Sequence, residues 1–467
     1  MAILLGPAGV GLFGVFYAMF ELCQTAAGMG VQNSGVREIA SARSSDDAEA
    51  VARTASTLRY LSLAAGLTGA GLLVLIARPL SVATFGDTAQ SGAIALLGLA
   101  VGLRIVSGGQ LALIQGLRRV SDLAQLTIIT ALSSTVIAIP LVYWLGEDGI
   151  VPSIVGLAAA GMVASWVYAR KAGVTTTRLP MSVLAAEAMP LLRLGFAFMA
   201  SGLLTAGAAY LVRLIIVREL GLSDAGLFQA AWVLGGIYAG FILQSMGVDF
   251  YPRLTAAAGS DDDTNRLVNE QARISLLLAA PGVLATLTVA PLVMIVFYSA
   301  AFQPAADLLR WICLGMMLRI ISWPMGFIIL ARGAQRIFFW TEVAATAVHV
   351  GLAYALVRFV GLDGAGIGFF GLYVWHGGLI YVIVRRMTGF RWSPDNLRLG
   401  LGVLLLTAIV FAATILLPEL PAIAFGTTAT AACGLYCLSD LLKVLGPEHA
   451  LVRKLPWARG ILHRNAG

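Results

Sequence analysis

The chain has 467 residues, 59% hydrophobic and 12% charged, with a formal charge of +7. A mean hydropathy of +0.88 is far above that of soluble domains and argues against an ordinary water-soluble enzyme. The long apolar runs do not alternate with period two, which excludes a membrane β-barrel and leaves an all-α, polytopic membrane protein.

In chain order, spans are expected near residues 10–30, 60–77, 91–113, 124–145, 150–169, 195–217, 226–246, 275–297, 306–330, 337–360, 365–384, 399–417 and 421–442, about thirteen transmembrane helices. Residues 337–360 and 365–384, joined by Gly361-Leu362-Asp363-Gly364, form a hairpin with Arg332 and Arg336 at one open end and Arg385 and Arg386 at the other. Cations at the open ends and an acidic tip put the open ends in the cytoplasm.

The hairpin occurs twice. With an offset of 215, Gly146-Glu147-Asp148-Gly149 falls on Gly361-Leu362-Asp363-Gly364 and Arg170-Lys171 on Arg385-Arg386. The same offset lays Gly11-Leu12-Phe13 on Gly226-Leu227-Phe228 and Ser45-Asp46-Asp47 on Ser260-Asp261-Asp262. With a shift of about three residues, Pro79 and Phe85 match Pro291 and Phe297. A repeat of this length indicates duplicated lobes, the construction of many secondary transporters. The expected plan is two pseudo-symmetric helical lobes around a central cavity. Residues 1–170 make the N-terminal lobe with five visible helices, 171–193 a cytoplasmic linker and 194–390 the C-terminal lobe with six helices. Residues 391–443 add two further helices and 444–467 a cytoplasmic tail. Subtracting 215 places the partner of span 195–217 before Met1, so the first helix of a fourteen-helix plan is expected to be missing, through a late start or a lost helix. Pro447 to Gly467, with Arg453, Lys454 and Trp457, reads as a short interfacial helix or a solvated tail.

When loops are assigned to alternate sides, 24 of the 31 Lys and Arg residues fall on one side, three (Arg78, Arg218, Arg358) on the other, and four inside spans. The positive-inside rule then puts the C-terminus in the cytoplasm, and this asymmetry, not nucleic acid, accounts for the basic charge. Met1 to Leu5 has no basic n-region, so no cleavable signal is expected. Cys23, Cys313, Cys433 and Cys437 all lie in spans and read as small packing residues. The 52 glycines concentrate in spans, where small side chains allow close helix approach.

At Tyr251-Pro252-Arg253-Leu254-Thr255, Arg266-Leu267-Val268-Asn269-Glu270-Gln271, Ala331-Arg332-Gly333 and Phe338-Phe339-Trp340-Thr341-Glu342, the chain resembles the Wzx-type O-antigen translocases. Those are oligosaccharide flippases of the multidrug/oligosaccharidyl-lipid/polysaccharide superfamily, and the resemblance covers about residues 1–390. It implies a multi-pass protein of the bacterial inner (plasma) membrane. The implied activity moves an undecaprenyl-pyrophosphate-linked oligosaccharide, an O-antigen or exopolysaccharide repeat unit, from the cytoplasmic to the periplasmic leaflet by alternating access. The implied partners are that substrate and membrane lipids, with polysaccharide polymerase machinery a further candidate.

Ionisable groups inside spans are costly and tend to face wet cavities or partners. Arg104 and Arg319 stand 215 residues apart at matched places, and Arg213 is a third embedded guanidinium. Guanidinium forks suit phosphate oxygens, so these three are the candidate substrate-binding residues, with snorkelling or local pairing as the plainer alternative. Arg310, spaced i, i+3 from Asp307, fits such a local pair. Glu342, Glu21 and His349 are the ion-coupling candidates, Glu342 and His349 being two helical turns apart. Glu342 could instead pair with Arg336 or Arg332, and His376 reads as structural. Ser260-Asp261-Asp262-Asp263 carries the Asp-x-Asp spacing of a glycosyltransferase metal site but reads better as a solvated loop. No catalytic set, cofactor motif or metal cluster is expected. A cation-coupled multidrug or metabolite antiporter is the second reading, and a polysaccharide polymerase or ligase the third.

Overall fold

Sixteen α-helices and no strand make up the residues that the computed structural model describes, which are 2–45, 47–174 and 179–445. The expected tail helix at Pro447–Gly467, Asp46 of the repeated acidic turn and Arg178 of the linker lie outside them. In order come α1 (Ala2–Gly28), α2 (Val31–Ser44), α3 (Ala48–Phe85), α4 (Ser91–Gly116), α5 (Val120–Leu145), α6 (Ile150–Lys171) and the 39-residue α7 (Met181–Glu219). Then follow α8 (Leu222–Ser245), a π turn (Met246–Phe250), the short α9 (Tyr251–Ala256), α10 (Asp261–Thr288) and α11 (Ala290–Phe297). The last five are α12 (Ala306–Ala331), α13 (Gln335–Val360), α14 (Asp363–Thr388), α15 (Pro394–Leu416) and α16 (Glu419–Leu445).

Twelve segments among the described residues are long and apolar enough to cross a bilayer, where the sequence suggests thirteen spans. The difference lies at Val120–Lys171, a 52-residue helical stretch taken as one. The turn Gly146–Gly149 divides it into α5 and α6, which fold back on each other.

The duplication is legible in backbone conformation. Adding 215 to the bounds of α4 and α5 gives the bounds of α12 and α13. Left-handed turn residues repeat at the same offset: Gly6 (φ 64°) with Gly221 (φ 100°), Arg118 (55°) with Gly333 (67°), and Gly146 (60°) with Gly361 (80°). The hydrogen bonds repeat too, Arg119 N to Ile114 O at 3.2 Å matching Ala334 N to Ile329 O at 3.0 Å. At Gly6 the turn breaks α1 internally, and at the others a helix ends because a residue of positive φ turns the chain and its neighbours' N–H groups close on the last carbonyls.

The chain divides into two compact units, 1–226 and 227–467. In the first, α4 packs on α3 and α6, and α6 also packs on α5. Helix α7 joins this unit, lying against α1, α2 and α3. It is tied there by Tyr210 and Thr84 hydroxyls at 2.7 Å and by Arg218 Nε donating to Ala83 O at 2.9 Å. At about 1.5 Å per residue α7 is close to twice as long as a bilayer core is thick, so the stretch from Met181 that the sequence assigns to a linker is the helix's extension.

The second unit repeats the pattern, α12 packing on α10 and α14, and α14 on α13. The extra pair α15 and α16 is fastened to α10 near one end. Arg273 grips Asp440 in a fork (2.8–3.1 Å), while Asn269 Oδ1 accepts from Ser393 N at 2.8 Å. Large apolar residues such as Leu75, Leu132, Val136 and Leu405 stand exposed, the pattern of helices solvated by acyl chains.

Candidate functional site

In the first unit the chain breaks between α1 and α2 at two left-handed residues, Met29 (φ 48°) and Gly30 (φ 64°). Gly30 caps α2 without a side chain, so the first N–H groups of that helix, from Val31, Gln32 and Asn33, have no partner within it. All three residues line a cavity of about 210 Å³ together with Gln24, Thr25, Ser62 and Arg104. Glycine keeps it open: a Cβ at Gly108 would come 3.0 Å from Gln32 Oε1, one at Gly109 2.6 Å from Ser62 Oγ, and one at Gly202 2.9 Å from Thr25 Cγ2. Phe198, Met199 and Gly202 of α7 complete the wall.

Arg104 makes no ion pair among the described residues. A guanidinium beside an uncapped helix N-terminus is an anion-binding arrangement, both parts supplying N–H donors and positive potential. Gln24 Oε1 is buried there without a hydrogen-bond partner.

The other sequence candidates distribute as follows. Arg213 is buried in the same unit, away from the cavity wall, with Nη1 donating to Ala209 O at 2.9 Å. Glu21 stands one turn from Tyr17, whose hydroxyl also feels the Arg104 charge, but it does not line the cavity.

Arg319 belongs to the second unit, and there Glu342, His349 and His376 gather within its electrostatic reach from α13 and α14. Its guanidinium lies 4.8 Å over the Trp323 ring and 5.8 Å from that of Tyr373. Phe369 continues the aromatic wall, 5.0 Å from Tyr373 and 5.7 Å from His349. Arg319 Nε and His376 Nδ1 are buried without hydrogen-bond partners.

The alternative partner Arg332 is paired with Asp261 instead of Glu342, whereas Arg310 does pair with Asp307, at 2.5 Å. The Ser260–Asp263 stretch is the first turn of α10, not a loop: Ser260 Oγ accepts from Asp263 N, and Asp263 pairs with Arg266 at 3.0 Å. Among the described residues no group of acidic, His and Cys side chains could hold a metal ion.

Sequence reasoning missed Gln24, Gln32, Asn33 and Ser62. The signal was available in the amides of Gln24 and Gln32, which interrupt or closely follow an apolar span without any charge to draw the eye.

Residues 1–257 match the polysaccharide biosynthesis protein family. The chain belongs to that family. It is similar to the lipid III flippase of Escherichia coli (strain K12), 25% identical over 402 residues, covering 83% of this chain and 93% of that one. The lipid III flippase of Shigella flexneri matches equally. Among solved structures, an inward-facing MATE-family multidrug resistance transporter of the MOP superfamily superposes with a TM-score of 0.68 at 17% identity, covering 82% of this chain and 91% of that one. The lipid II flippase MurJ in an inward-closed conformation gives 0.64 at 13% identity, covering 93% and 98%. These likenesses show the fold of a multi-pass helical membrane protein, and the relatives named are flippases and transporters.

Proposed function

We propose that the protein is a flippase for an undecaprenyl-pyrophosphate-linked oligosaccharide, an O-antigen or exopolysaccharide repeat unit, carried from the cytoplasmic to the periplasmic leaflet of the bacterial inner membrane. The cation asymmetry of the sequence supports a cytoplasmic C-terminus. The observation that carries this reading is Arg104. It is a guanidinium without an ion pair, beside an uncapped helix N-terminus, on a polar cavity within a bundle of membrane-spanning helices. An anionic headgroup leaving water needs such a site, because hydrocarbon offers it no solvation. The likeness to lipid III flippases supports a lipid-linked sugar as cargo.

A second observation bears on coupling. An antiporter on the same fold would instead rest on Glu342, His349 and His376, which gather around Arg319 in the second unit.

The test is proteoliposome flipping of a fluorescent undecaprenyl-diphospho-oligosaccharide, read by an impermeant lectin. Wild type accelerates transbilayer exchange, and Arg104→Ala slows it at least about tenfold, the effect of losing one charged contact. Unaltered exchange in Arg104→Ala, or wild-type uptake of cationic drugs with no lipid exchange, would remove the proposal.

A further inference from the structure

A second cavity, of about 280 Å³, lies wholly within the second unit, where the ends of α10 and α15 meet the starts of α12 and α16. Gln303, Asp307, Arg310 and Glu419 line it, so it is polar and carries charges of both signs. Its surroundings are apolar and face outward: Leu292, Leu416 and Leu420 are all exposed beside it. Arg310 is nearly buried, 11% of its side chain being exposed. Two bonds aim it, Nε to Leu287 O at 3.2 Å and Nη1 to Asp307 Oδ1 at 2.5 Å, and Nη2 is left without a partner among the described residues. Glu419 makes no ion pair among the described residues either. Glycine lets α16 come close enough to bring Glu419 to this wall, since a Cβ at Gly426 would overlap Thr288 Oγ1. The fold itself does not demand the charges. In α4, which matches α12 at the offset of 215, Asp307 is replaced by Gly92 and Arg310 by Ala95. A nearly buried guanidinium is costly to desolvate, and the first unit packs the same helix without one.

We infer that this cavity holds the headgroup of a zwitterionic phospholipid, phosphatidylethanolamine, as a bound lipid and not as cargo. Arg310 Nη2 donates to a phosphate oxygen, and the primary ammonium lies between Glu419 and the free Oδ2 of Asp307. Two carboxylates against one guanidinium leave the site with an excess negative charge, which disfavours anionic phosphatidylglycerol. A choline headgroup has no N–H to donate. At roughly 30 Å³ for each water-sized group, the volume suits a headgroup and not a whole lipid. The acyl chains lie outside, along Leu292, Leu416 and Leu420. On the orientation that the cation asymmetry supports, this lipid belongs to the periplasmic leaflet.

The test is native mass spectrometry of the detergent-purified full chain titrated with dioleoyl phosphatidylethanolamine, phosphatidylcholine and phosphatidylglycerol. Wild type is expected to retain one phosphatidylethanolamine about tenfold more tightly than either other lipid, the worth of one charge-assisted hydrogen bond. Glu419→Gln brings these ratios close to one while leaving phosphatidylcholine within about twofold, and Glu419→Ala repeats the arm if the Gln variant elutes aggregated. Arg310→Gln weakens all three lipids, because each carries a phosphate. Equal retention of the three lipids by wild type, or a preference that survives both Glu419 variants, overturns the site. Displacement of the lipid by equimolar soluble phosphoethanolamine overturns its assignment to a membrane lipid. Each of these results leaves the flippase reading, which rests on Arg104, standing.

Discussion

The two matched arginines sit in closely similar sequence, Leu103-Arg104-Ile105-Val106-Ser107-Gly108 against Leu318-Arg319-Ile320-Ile321-Ser322-Trp323, and in opposite surroundings. One turn after Arg104 stands Gly108, and the space beside the guanidinium is a polar cavity. One turn after Arg319 stands Trp323, with the guanidinium lying over its indole. Repeat-related exchanges, Gly108 for Trp323 and Ala158 for Tyr373, thus separate an arginine beside a polar cavity from one held by aromatic faces. Duplication supplies the charge twice; the neighbours differ between the copies.

The comparison breaks most directly by moving the tryptophan. Gly108→Trp is expected to fill the cavity, since even a Cβ there would reach Gln32 Oε1, and to reduce flipping in proteoliposomes to the protein-free rate. Flipping within about twofold of wild type would mean that the cavity is not on the transport path. The reciprocal change, Trp323→Ala, removes a cation–π contact and a partly buried ring. It should lower stability by about 2–4 kcal/mol, read from thermal unfolding in detergent, whereas Gly108→Ala should cost much less.

Paired cations occur in both units, Arg53 and Arg119 in the first among them. Arg273, Arg310 and Arg332 all have carboxylate partners, Asp440, Asp307 and Asp261. The Arg273–Asp440 fork holds α16 to α10, and Asp440 is buried while Arg273 is partly exposed. Asp440→Asn should destabilise the protein by about 1–3 kcal/mol, less than the loss of a fully buried pair, and leave the affinity of the Arg104 cavity for farnesyl diphosphate unchanged. A parallel loss of that affinity would show that the unit's charges do not act separately.

Much of the fold was legible because hydropathy and duplication are written directly in the sequence. The expected spans fall on helices, 275–297 on two of them, α10 and α11, and the offset of 215 that aligned Gly146 with Gly361 also aligns their backbone conformations. The site was only half legible. An arginine in an apolar run announces its cost, so Arg104 and Arg319 were visible, and with them Glu342 and His349, which the fold gathers around Arg319. Gln24 and Ser62 carry no charge and signal nothing until packing leaves one of them unanswered. Nor does composition report what a glycine makes room for: Gly108 is one of 52, and only its opposition to Trp323 gives it meaning.

The smallest expected effect concerns the turn that follows each arginine helix. Arg118 and Gly333 occupy the same left-handed position and close the same hydrogen bonds, but Arg118 carries a Cβ into a region that costs an L-residue about 1–2 kcal/mol. Arg118→Gly relieves that cost and adds about 0.5–1 kcal/mol of unfolded-state freedom, so the net gain should be about 0–1 kcal/mol in thermal unfolding. Arg118 is exposed, and no packing term obscures the balance. Gly333→Ala runs the opposite way with both terms reversed, the added strain outweighing the lost unfolded-state entropy, and should destabilise by about the same amount. If both variants destabilise equally, the Arg118 side chain is stabilising its turn by some contact of its own, and the two turns, alike in backbone, would differ in what holds them, as the two arginines do.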